Sequence, residues 1–129
     1  MVGDTGLNIE GYHWIGHNRV NLHVRARTGS GGVGFLIKDT LLDSFNVTVL
    51  DRDEEGILWI KLQDKADNTA LCMCVCYVPP EHSTRDVNMN DILDTLLVQV
   101  QQYQKEGLLI MCGDFNSRLG DRLDYILRR

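Results

Sequence analysis

Ala70-Leu71-Cys72-Met73-Cys74-Val75-Cys76-Tyr77-Val78-Pro79-Pro80 is the most continuous apolar stretch of the chain, and it ends abruptly in two prolines. A run of this length between turn signals predicts a strand, not a helix. Apolar residues at consecutive positions predict a central strand, buried on both faces. Pro79-Pro80 ends it, because proline has no N–H to give to a ladder. Cys72, Cys74 and Cys76 alternate, so they share one face. Same-face neighbours on one strand are poorly placed for disulfide geometry. The C-x-C-x-C spacing also lacks the paired C-x-x-C form of a zinc site. Together with Cys112 they are expected to be small buried thiols in a reducing compartment.

Working outward from this strand, residues 64–68 form a polar hairpin loop that leads back to an apolar run at 58–62. The acidic turn 51–56 separates that run from a strand at 47–50, and 33–37 reads as another buried strand. Ahead of it lies the flexible turn Thr28-Gly29-Ser30-Gly31-Gly32, and before that two extended pieces at 11–16 and 21–27. Downstream, one long helix is predicted over 90–106. Asn90 or Asn88 caps it, and Asp91 and Asp94 suit its positive end. Ile92, Leu93, Leu96, Leu97, Val100 and Tyr103 recur at helical spacing. Lys105 falls in the last turn and Gly107 suits the position just past it. Residues 108–112 then form a short apolar strand, and 121–129 start a further helical turn. Strands first, then helix and strand, define an α+β domain with a strand-rich core.

At 129 residues the chain reads as one domain, 1–129, and 43% hydrophobic with 24% charged residues excludes a disordered tail, a fibre or a linker. No segment approaches the ~20 apolar residues of a membrane helix. Met1-Val2-Gly3-Asp4-Thr5 has neither the basic region nor the apolar core of a secretory signal. The chain is therefore expected to be intracellular, in cytoplasm or nucleus, with no membrane partner. Thirteen Lys and Arg against eighteen Asp and Glu leave a net charge of −5. A protein that relies on diffuse attraction to phosphates is normally basic, so any nucleic-acid contact has to be local. Residues 13–27 hold Arg19, Arg25, Arg27, His13, His17 and His23 and no acid. Two readings of this stretch stand side by side: a solvated basic edge, and a phosphate-facing rim.

The segment richest in chemistry is Leu109-Ile110-Met111-Cys112-Gly113-Asp114-Phe115-Asn116-Ser117-Arg118. Asp114 and Asn116, two apart at the end of a buried strand, can point into one crevice. A carboxylate there can orient or deprotonate an attacking water. An amide can hydrogen-bond a phosphoryl oxygen without adding negative charge. On residue chemistry alone, an ordinary strand-to-loop turn accounts for Gly, Asp and Asn equally well.

The order of segments adds to this. Ser30-Gly31-Gly32-Val33-Gly34-Phe35, then Leu58-Trp59-Ile60-Lys61-Leu62, then Cys76-Tyr77-Val78-Pro79-Pro80, a helix, and Met111 to Asn116 follow one another. This series resembles the endonuclease/exonuclease/phosphatase superfamily, most closely the endonuclease domain of LINE-type (non-LTR) retrotransposons. Gly11-Tyr12 and the basic stretch after it resemble the region just past that family's metal-binding Glu. The resemblance covers residues 7–126. It implies a four-layered, DNase-like α/β sandwich that cuts phosphodiester bonds with Mg²⁺, with DNA as partner. Asp114 is similar to the family's water-orienting aspartate. Asn116 is similar to the asparagine that helps hold the phosphate and the metal shell, and Tyr77 to the tyrosine that leans on the scissile phosphate. Tyr77 also reads as a simple strand cap. Arg118 reads as a contact to backbone phosphate or as a surface arginine.

The chain departs from the family pattern in two places. Family domains open with strands that carry an Asn and the metal-binding Glu; Asp4 and Glu10 lie on the wrong side of that position. They close with a Ser-Asp-His segment, and none of the four histidines occupies its place. The expectation is a partial sandwich, truncated at both ends, that lacks the principal Mg²⁺ ligand and has weak or no nuclease activity. Exposed sheet edges are expected to favour association, with another copy of the chain as a candidate partner. Two functions remain: a Mg²⁺-dependent phosphodiesterase of the retrotransposon DNA endonuclease kind, or a catalytically degenerate scaffold that binds or assembles.

Overall fold

The computed structural model describes residues 8–18, 32–79 and 89–116. The expected strand at 21–27, the turn 28–31, the helix cap Asn88, Arg118 and the tail 121–129 lie outside them. In chain order the elements are β1 (Tyr12–Asn18), β2 (Gly32–Lys38), α1 (Asp39–Leu42), β3 (Phe45–Asp51), β4 (Ile57–Asp64), β5 (Ala70–Tyr77), α2 (Met89–Tyr103) and β6 (Leu108–Asp114). The strands β3-β4-β5-β6 form one sheet in that order, and β1 and β2 form a second, two-stranded antiparallel sheet. Within the larger sheet β3, β4 and β5 are antiparallel, while β5 and β6 run parallel.

The side-chain alternation of β4 and β5 divides the core into two clusters, one on each face of this sheet. Ile57 and Trp59 of β4 and Cys72, Cys74 and Cys76 of β5 pack with Ile92, Leu96 and Tyr103 of α2. Leu58, Ile60 and Leu62, with Leu71, Met73 and Val75 beside them, pack with Ile37 and the half-buried Ile15, Val33 and Phe35 of the small sheet. The order of layers is thus α2, large sheet, small sheet. Trp59, Leu58, Cys72 and Cys74 are wholly buried. All four cysteines are free thiols. Burial pushes the Cys72 thiol above its ordinary value, and Cys74 is pushed up first by its hydrogen bond with the Cys76 side chain and then by burial.

The helix and the sheet are joined by a polar bridge as well as by packing. β3 carries a bulge between Val49 and Asp51, so that Asp51 rather than Leu50 pairs with Trp59. A bulge re-aims the side chains beyond it. Here it turns Asp51 onto the α2 face, where its Oδ2 accepts from Gln99 Nε2 and from the Tyr103 hydroxyl, each at 3.2 Å. Trp59 Nε1 donates to Gln99 Oε1 at 2.9 Å, and the Trp59 and Tyr103 rings lie 5.0 Å apart, tilted by 51°. Every polar group in this seam has a partner, which is the condition for burying it. On the small sheet, Gly16 pairs with Gly34 and the Trp14 ring lies across both; a Cβ at Gly16 would come within 2.6 Å of Trp14 Nε1.

Four sequence expectations change. β5 is central, but only its cysteine face is fully buried; Leu71, Met73, Val75 and Tyr77 on the other face are half-buried. Among the described strands β6 lies at the edge and is not a buried strand: Leu109 and Met111 pack under α2 while Leu108 is 76% and Ile110 46% exposed. Cys112 lies on that open side and is exposed. On α2, Leu93 and Leu97 share the helical spacing yet face outward, because Gln99 and Tyr103 turn the helix toward Asp51 and away from them. Among the described residues no helix is long and apolar enough to cross a membrane.

Replacing Gln99 by Leu is expected to destabilise the fold by about 1–3 kcal/mol in urea unfolding, since the Trp59 N–H is left buried without its acceptor. Alkaline pH acts on the same seam. Burial, and next the Asp51 charge, push Tyr103 from 10.0 up to about 12. Below the lower value Tyr103 is neutral in both folded and unfolded chains; between the two only the unfolded chain ionises, so stability falls as pH rises through that window. Urea midpoints measured across it should fall in the parent and fall less in Tyr103→Phe.

Candidate functional site

The parallel pairing of β5 and β6 brings two strand exits to one end of the sheet, with Tyr77 directly opposite Asp114. Asp114 is the last residue of β6, which runs two residues past the expected strand 108–112, because pairing with Cys76 and Tyr77 continues through Gly113 and Asp114. Gly113 makes that continuation possible. Its φ is +140°, and a Cβ there would fall inside the carbonyl of Cys76. No other residue type fits so close a backbone approach.

The two exits are tied by hydrogen bonds. Val78 N–H donates to the Asp114 carbonyl at 2.8 Å. Asn116 N–H donates to Asp114 Oδ1 at 2.9 Å, closing an Asx turn, and Asn116 Nδ2 donates to the Val78 carbonyl at 2.6 Å. Asp114 and Phe115 are exposed at this end, and Tyr77 and Asn116 are half-buried. By register the Tyr77 and Asp114 side chains lie on the face that bears the small sheet, at the head of the open stripe of Leu108, Ile110 and Cys112.

Sequence reasoning placed Tyr77, Asp114 and Asn116 together, and in the structure they share this end. It did not find the wall beside them. Tyr77 N–H donates to the Gly56 carbonyl at 2.8 Å, so the β3–β4 loop borders this end of the sheet. His17 Nε2 lies 2.9 Å from the Glu54 carbonyl, and Arg52 Nη1 donates to the Gly16 carbonyl at 3.5 Å. These two contacts latch the end of β1 to the same loop. Of the basic stretch 13–27, His17 therefore stands beside the β3–β4 loop; Arg19, His23, Arg25 and Arg27 lie outside the described residues, as does Arg118. Nothing in the sequence announces a contact between a loop and a strand 37 positions earlier.

The arrangement offers a solvent-facing carboxylate, one oxygen of which is held by a backbone N–H, and next to it a phenol and an amide. Such a set can orient a water and hold a phosphoryl oxygen. Whether it also suits Mg²⁺ depends on the donor set. Mg²⁺ takes near-octahedral oxygen ligands and usually one or two carboxylates plus waters and substrate phosphates. Among the described residues no group of three or more His, Cys, Asp or Glu side chains is placed to hold a metal ion. Of the two exits, Asp114 is the residue that supplies a carboxylate, and Tyr77, Asp114 and Asn116 alone do not make a magnesium centre.

The fold is α+β and DNase-like, a mixed sheet held between one helix and a small antiparallel sheet. Among solved structures the chain is similar to the human Nocturnin catalytic domain with bound sulfate anion, at a TM-score of 0.53 and 18% identity. The match covers 84% of this chain and 44% of that one, so the chain spans less than half the length of this structural neighbour. No protein-family model and no curated protein matches the chain.

Gly113→Ala should drive β6 away from β5 at this end. Urea unfolding is expected to show a loss of about 1–3 kcal/mol, the scale of forced overpacking. Gly11→Ala, also at positive φ but with nothing within 4 Å of its Cβ, should cost less.

Proposed function

We propose that the chain is a phosphodiesterase domain of the endonuclease/exonuclease/phosphatase type, acting on DNA in the manner of a retrotransposon endonuclease. The observation that supports this best is the in-register pairing of Tyr77 with Asp114 at one open end, with Asn116 bonded across the gap. In this reading Asp114 accepts a hydrogen bond from the attacking water and aims it at phosphorus. The Asn116 amide and the Tyr77 hydroxyl donate to phosphoryl oxygens, and Arg118 steadies a neighbouring backbone phosphate. With a net charge of −5, binding to DNA rests on these local contacts. Mg²⁺ belongs to the reading by family resemblance. The two strand exits supply one carboxylate toward it, Asp114, and turnover by this chain is accordingly expected to be slow. Association with a second copy along the β6 edge is part of the same proposal.

The test is nicking of supercoiled plasmid by the purified chain with Mg²⁺, against a chelator control. Slow nicking that the chelator stops is expected, and Asp114→Ala should lower it on the order of 10²–10³-fold, the usual cost of removing one well-placed electrostatic group. DNA retention without cleavage, equal in the parent and in Asp114→Ala, would instead support a degenerate scaffold that serves as a binding or assembly module.

A further inference from the structure

Asn116 makes three commitments before any substrate arrives. Its backbone sits at φ +47°, in the left-handed region that Asn enters more readily than most side chains. Its N–H holds Asp114 Oδ1, and its side-chain amide holds the Val78 carbonyl. Val78 itself is 1% exposed. Its N–H is taken by the Asp114 carbonyl and its C=O by Asn116, so the two exits form a closed circuit. Removing the amide leaves that carbonyl without this donor in a buried setting, a costly condition that the chain relieves by shifting the exit. Tyr77, between Val78 and the Gly56 carbonyl, moves with it.

We infer that Asn116 is a positioning residue: it fixes the Asp114 carboxylate and the Tyr77–Val78 exit relative to each other. This goes beyond contact with phosphate, and it rests on the reading of Asp114 under Proposed function. The side chain has to be an amide. An aspartate at 116 keeps the turn and tolerates positive φ but turns an oxygen toward the Val78 carbonyl, and a glycine keeps φ and offers no donor.

The test is amide hydrogen exchange by NMR on the free chain, comparing the parent with Asn116→Gly and Asn116→Asp. Exchange at the Val78 N–H should quicken by about tenfold or more in both variants while the core amide of Ile60 keeps its rate; tenfold corresponds to about 1.4 kcal/mol, within the range of one hydrogen bond. If Asn116→Gly loosens the whole fold and Ile60 quickens too, Asn116→Asp, which keeps the turn, decides. In nicking kinetics kcat should fall with KM within about twofold, and Asn116→Gly should cost little more once Asp114→Ala is present, as expected for groups that act as a unit. Parent-like exchange at Val78 in both variants, or a raised KM with kcat kept, overturns the inference. Absence of any cleavage by the parent counts against the proposed function alone, because the exchange result stands without it.

Discussion

The parallel pairing of β5 with β6 is the constraint on which the rest depends. Antiparallel neighbours can be joined by a tight turn, but parallel neighbours need a crossover that returns the chain to the starting end. Residues 78–107 make that return, and α2 is its body. Because both strands leave the sheet at the same end, their last residues meet, and a site is assembled from positions 37 apart in sequence, Tyr77 and Asp114. The pairing in turn rests on a glycine whose missing Cβ lets β6 approach Cys76.

Holding α2 over the sheet is a separate matter, and apolar packing alone would allow the helix to roll. Asp51 of β3, Trp59 of β4, and Gln99 and Tyr103 of α2 remove that freedom, since they bond at fixed positions on three elements. The β3 bulge makes the arrangement possible by delivering a carboxylate to a face that the regular alternation would have kept it from. A partly satisfied network of this kind would be worse than none. The same bridge explains why Leu93 and Leu97 stay outside.

Much of the architecture was legible in the sequence because it follows from local periodicity. The runs at 33–37, 47–50, 58–62, 70–78 and 108–112 each fall within a strand or overrun it by a residue, and α2 ends three residues short of its expected limit. The cysteine alternation correctly placed three side chains on one face. What stayed hidden is tertiary. Apolar residues at 108 and 110 look buried until strand order places β6 at the edge of the described strands. The one-turn helix α1 has too few residues to show a period. For the candidate site, the residue types at 77, 114 and 116 were visible, but the wall formed by residues 52–56 and His17 was not, because it arises from contacts between separate layers.

The two tryptophans fall in different layers, Trp14 half-buried on the small sheet and Trp59 wholly buried beside Gln99 and Tyr103. The molecule therefore carries an intrinsic fluorophore in each of its two sheets. Emission from Trp59, in close range of a tyrosine donor, reports the docking of α2, while Trp14, open to a collisional quencher such as acrylamide, reports the attachment of the small sheet. Single replacement of either by Phe separates the signals, so the order in which the layers detach during unfolding can be followed without any added label.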